Sequence, residues 1–88
     1  VTYRIVLTST ATRQIANLPA SAAWACHEFI SGALVANPHR VGAPLHAPFE
    51  GQWRARRGEY RIRYTIDDEE RVVTVVDASH RRDAYRTR

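Results

Sequence analysis

Three observations predict an α+β fold, a small antiparallel-rich sheet with a two-helix hairpin packed on one face. A β-rich run opens the chain at Tyr3 to Thr8, two helical patterns lie between residues 11 and 36, and three alternating segments follow at 52–57, 60–67 and 71–78. The predicted order is β-α-α-β-β-β with a short C-terminal tail or helix. Eighty-eight residues make a single domain over 1–88, able to bury one core but too short for separate catalytic and recognition domains. A functional site is therefore expected on the surface of the fold itself.

The first strand stops where Ser9 and Thr10 offer helix N-caps. Ala11 to Leu18 reads as a short amphipathic helix with Ile15 and Leu18 facing inward, stopped at Pro19. Ser21 is expected to cap a longer helix running to about Ala36. Its apolar stripe is Ala22, Cys26, Phe29, Ile30, Ala33 and Leu34, and Asn37-Pro38 ends it. At about 100° per residue Trp24 lies nearly opposite Cys26, where it either packs on the first helix, the favoured reading, or stands exposed as a partner contact. Gly42, Pro44 and Pro48 make His39 to Glu50 a loop. The acidic run Asp67-Asp68-Glu69-Glu70 suits a solvated hairpin turn. Val72, Val73, Val75 and Val76 mark the last strand as central in the sheet.

Charge is distributed in a way that bears on function. All 13 basic residues are arginine, against nine acidic ones, so the positive potential comes from planar guanidinium groups suited to bidentate phosphate contact and to stacking on bases. Five of them fall between residues 51 and 63, opposed there only by Glu59. Side chains of a strand alternate between faces, so Tyr60, Ile62, Tyr64 and Ile66 point to a core while Arg61, Arg63 and Thr65 line the other face. The preceding strand sends Trp53 and Ala55 inward and sets Gln52, Arg54 and Arg56 beside the same basic surface, which is expected to be open and to suit a polyphosphate. Cys26 is the only cysteine, so no internal disulfide forms and a buried thiol is expected. No spacing of His, Cys or Asp suits a metal, so no metal and no cofactor are expected, and His27 and His39 read as surface residues. No apolar run approaches the ~20 residues that span a bilayer, and no charged-then-apolar leader opens the chain, so a cytoplasmic location is expected.

The ordered set of motifs resembles the RelE-type toxins of bacterial type II toxin–antitoxin pairs, within the RelE/ParE superfamily. It comprises Asn37 through Gly42 leading to Pro44-Leu45, Gly51 through Arg57, Gly58 through Tyr64, and His80 through Arg86. The resemblance implies a metal-independent endoribonuclease that enters the ribosomal A site, cuts the displayed mRNA codon and stops translation. It also implies a RelB-like antitoxin as partner in a hetero-oligomeric complex. The expected chemistry is attack of a ribose 2′-hydroxyl on the adjacent phosphate, which needs a base, charge on the transition state and an acid at the leaving oxygen.

Arg61 matches the family's strand arginine and is the expected phosphate stabiliser. Catalytic roles are further expected for His80, Arg81 and Tyr85, and RNA contact for Arg54, Arg56, Arg57, Arg63 and His46. Lysines that some members carry on the preceding strand are replaced here by Gln52 and Arg54, and a loop glutamate of others by Ala43. The base is therefore sought among His46, His80, Glu50 and Tyr85, with His80 favoured because imidazole titrates near neutral pH. Two other functions fit the same composition: a ParE-like inhibitor of DNA gyrase, and a non-catalytic RNA- or ribosome-binding domain. The tail carrying arginine, histidine and tyrosine favours the nuclease.

Overall fold

A computed structural model describes residues 2–80. Its elements are β1 (Arg4–Leu7), α1 (Ser9–Ala16), α2 (Ala20–Phe29), β2 (Ala43–Pro44), β3 (Trp53–Arg57), β4 (Tyr60–Asp67) and β5 (Val72–His80). They form one five-stranded sheet in the order β1-β5-β4-β3-β2. β1 runs parallel to β5, and every other neighbouring pair is antiparallel. The β-branched last strand thus has partners on both sides, as its composition requires. Among the described residues no helix is long and apolar enough to cross a membrane.

Both helices pack on one face. Ala11 and Ile15 of α1 and Cys26 and Phe29 of α2 meet Ala55, Ile62, Tyr64, Val73, Val75 and Ala78 of the sheet in one buried cluster. Fully burying a Val, Leu or Ile side chain contributes about 1.5–3 kcal/mol, so Ile62, Val73 and Val75, with no exposed surface, anchor the sheet to the helices. Burial pushes the Cys26 thiol above its ordinary value, in keeping with a core side chain.

Helix boundaries differ from the sequence expectation in instructive ways. Thr8, the residue before Ser9, is the N-cap of α1, and its hydroxyl accepts from the Ala11 amide at 3.1 Å. It holds that place because its own amide donates to Val75 of β5, so the strand ends one residue before the cap. Ser21 lies inside α2, whose N-cap is Pro19. From Ile30 to Leu34 the helix widens into a π-helical turn, a geometry that breaks the 3.6-residue count. Ile30 and Leu34 stay buried there, while Ala33 is exposed. Trp24 is 66% exposed rather than covered by α1 packing. The loop from His39 to Glu50 contains the two-residue edge strand β2, which pairs with β3.

A β-bulge resets the last strand. Arg63 pairs with Asp77 but Tyr64 pairs with Val75, so Val76 is an extra residue on β5. Before it Val73 and Val75 point to the helices, and after it Ala78 does. Unbroken alternation would have driven the Asp77 carboxylate into the core beside Val75. The bulge turns it instead to the face away from the helices.

Candidate functional site

Arginines on β3 and β4 are brought into direct opposition by their hairpin. Gly58, at φ +61°, takes the left-handed conformation of the turn, and the register it sets pairs Arg54 with Arg63 and Arg56 with Arg61. Like charges set directly across a strand pair are destabilising. Four guanidinium groups in two such pairs, on the face opposite the core, therefore form an arrangement suited to an anion from outside.

Asp77 and Ser79 join this face because of the bulge. Ser79 pairs with Arg61, and Asp77 with Arg63. The Asp77 carboxylate accepts from the Gln14 amide of α1 at 2.8 Å and from the Ser79 hydroxyl at 3.0 Å, and it lies 3.7 Å from the Arg63 guanidinium. Gln14 also accepts from the Ala78 amide at 2.8 Å, which occupies the β5 edge beyond the end of β1. Arg63 in turn donates to Gln52 at 2.8 Å, and its guanidinium carbon lies 4.9 Å from the centre of the Phe49 ring. Both ends of the Asp77–Arg63 pair are thus fixed by neutral neighbours.

The basic face is not fully open. The segment between β2 and β3 folds against it, held by the Leu45 amide donating to Gln52, Phe49 to His46 and Gln52 to Phe49, at 2.9–3.0 Å. Gly51, at φ +88°, allows the return. Leu45 and Phe49 thereby wall a cavity of about 60 Å³ whose other lining residues are Arg54, Arg61, Arg63, Asp77 and Ser79.

Of the expected RNA-contacting residues, Arg54, Arg61 and Arg63 line this cavity, and Arg56 stands across from Arg61 on the same face. Arg57 pairs with Tyr60 and so takes the alternate parity. His46 gives its backbone carbonyl to the loop, and its side chain is not part of the lining. His80 pairs with Tyr60, their rings in edge contact at 5.2 Å, on the parity opposite to Arg61. Arg81 and Tyr85 lie outside the described residues. Leu45, Phe49, Asp77 and Ser79 were not expected. Phe49 sits in an aperiodic loop, and Asp77 and Ser79 reach the face only through the bulge, which alternation does not announce.

A second cluster fixes the loop that follows α2. The Asp68 carboxylate accepts from the Tyr3 hydroxyl and contacts the His39 ring nitrogen at 2.9 Å, while His39 packs edge-on against Trp53 at 5.1 Å. The acidic hairpin turn is therefore a tether as well as a solvated loop. The His39 contact, then the Tyr3 hydroxyl, holds the Asp68 carboxyl below its ordinary 3.8. A carboxyl lowered in the folded state contributes stability that is complete above its unfolded pKa and is lost as pH falls through the folded one. Urea midpoints measured from pH 5 down to pH 2 should accordingly decline more steeply in the native chain than in Asp68→Asn. Parallel declines would exclude the tether.

Comparison with known proteins bears on the family and the fold. A sequence model of the ParE toxin of type II toxin–antitoxin systems, parDE, matches residues 5–85. Toxin RelE of Mycobacterium tuberculosis is 44% identical over 84 residues, covering 96% of this chain and 87% of its own. Toxin RelG of the same organism is 43% identical over 84 residues, covering 96% and 97%. The crystal structure of the toxin–antitoxin complex RelBE2 from M. tuberculosis matches with a TM-score of 0.88 at 41% identity, over 91% of this chain and 92% of that one. The intact E. coli RelBE complex matches with a TM-score of 0.73 at 16% identity, over 89% and 95%, a likeness of fold alone. With its helical hairpin, mixed sheet and arginine-bearing β3–β4 face, the chain belongs to the ParE toxin family of type II toxin–antitoxin systems and is a toxin of the RelE type.

Proposed function

We propose that this toxin binds mRNA on the ribosome through its arginine face and promotes cleavage in the A site by attack of a ribose 2′-hydroxyl on the adjacent phosphate, without a metal. The observation that carries the reading is the pair of opposed arginine couples, Arg54 with Arg63 and Arg56 with Arg61, beside a small cavity. Guanidinium groups brought to a bound phosphate would stabilise the extra negative charge of a pentacoordinate phosphorus more than that of the ground-state diester. Arg61 is assigned this role, with Arg54, Arg56 and Arg63 as positioning charges. The candidates for proton transfer are His80, which ends β5 on the parity opposite to Arg61, and Tyr85, with Arg81 as a further charge. The names of the relatives support the reading, as does the likeness to a complex whose partner is an antitoxin. A RelB-like antitoxin would meet this face with carboxylates, and the toxin would act in the cytoplasm.

Primer extension on mRNA in a purified translation reaction tests the proposal. Cuts at A-site codons that appear only with ribosomes and toxin together are expected; the same mRNA without ribosomes should remain intact. The ParE name of the matching family favours a second reading, inhibition of DNA gyrase. Intact mRNA together with a block of gyrase supercoiling would establish that one instead.

A further inference from the structure

The cavity and its rim differ in chemistry, and we propose that Phe49 is the platform of a nucleobase subsite, holding one base of a single-stranded RNA whose phosphate lies among the arginines. The inference rests on the RNA-directed reading above and adds to it a residue and a ligand group. A phosphate-binding surface by itself calls for cations and amides, not for an exposed aromatic ring. Phe49 is 38% exposed, although Tyr64 and Ile62 on the neighbouring strand are fully buried. Its backbone is also held in place: the Phe49 amide donates to His46 at 2.9 Å and its carbonyl accepts from Gln52 at 3.0 Å.

Arg63 completes the geometry. Its guanidinium is 4.9 Å from the Phe49 ring centre, with Gln52 at 2.8 Å and the Asp77 carboxylate at 3.7 Å setting its position. At about 60 Å³ the cavity is small, so a nucleotide whose phosphate reaches Arg61 and Arg63 leaves its base at the rim, where Phe49 stands. Every base presents a π face, so stacking there tolerates any sequence. The subsite anchors one nucleotide in register with the arginines and leaves codon preference to other contacts.

The test uses the full chain and a five-nucleotide single strand, 2′-O-methylated so that it resists 2′-hydroxyl attack, titrated by NMR. In a series of such strands each position in turn is made abasic. One position should weaken binding about tenfold when its base is removed, in the range of base–aromatic stacking. Phe49→Ala should weaken the intact strand by a similar factor and make that abasic change silent, while Phe49→Trp keeps it. Salt-dependent binding that no abasic change affects would overturn the subsite and leave the RNA reading standing. A base effect that survives in Phe49→Ala would place the base elsewhere and overturn it too. Failure of every strand to bind would overturn the subsite, and the primer-extension experiment alone would then decide the RNA reading.

Discussion

Replacing Arg61 by alanine is expected to slow single-turnover cleavage of A-site mRNA by about 10²–10³-fold, the usual consequence of losing one preorganised group from a charged transition state. Arg61 is the second residue of β4 and lines the cavity together with Arg54, Arg63 and Ser79. Its loss should fall on the chemical step more than on association, because other arginines still draw the phosphate backbone to this face. Arg61→Lys should recover only part of the rate: an ammonium supplies the charge but not the planar pair of donors. The melting temperature of Arg61→Ala should not fall below that of the native chain, since one of two directly opposed arginines has been removed. Cleavage at an undiminished rate in a folded Arg61→Ala protein would remove the arginine from the mechanism.

A second large effect is expected at Gly42, and it concerns stability. A Cβ at this position would overlap the Tyr64 hydroxyl and stand 2.6 Å from the backbone carbonyl oxygen of Arg54. Tyr64 is fully buried, its hydroxyl donates to the Pro38 carbonyl at 2.7 Å, and burial pushes its phenol up to about 12. Neither neighbour can move without opening the core or parting β2 from β3. Gly42→Ala should therefore destabilise the fold by about 1–3 kcal/mol, as overpacking of a dense interior does. Tyr64→Phe alone should lose about 1 kcal/mol with its hydrogen bond. Combined with Gly42→Ala it should cost less than the sum, because the hydroxyl that clashes has gone. Urea unfolding of the four proteins measures this coupling, and strict additivity would contradict it.

How much of this was legible in the sequence follows from where regular periodicity holds. Alternation from Tyr60 to Ile66 placed Ile62 and Tyr64 in the core and Arg61 and Arg63 on the other face, and all four stand there. Periodicity of three to four residues located both helices and found Ile15, Cys26 and Phe29. It failed where the backbone leaves the regular count. The π-helical turn exposes Ala33, and the bulge at Val76 sends Asp77 and Ser79 to the arginine face. Trp24 shows another limit: a helix projection identifies the side opposite Cys26 but not whether a neighbour covers it, and here none of α1 does. The wall formed by Leu45 and Phe49 was beyond reach for a related reason. Their placement depends on three backbone hydrogen bonds within a loop that has no hydrophobic repeat.

The parallel pairing of β1 with β5 bears on when a toxin of this kind can first become dangerous to the cell that makes it. Val6 finds its partner in Thr74, so the first strand to leave the ribosome waits for the last before the sheet can close. β5 also brings Asp77 and Ser79, so the cavity is incomplete until that strand has been made. Pairings this distant in sequence form late, after the local helical hairpin. Synthesis thus carries a built-in delay: a partly translated chain has no finished site, and an antitoxin already present has that interval in which to be waiting.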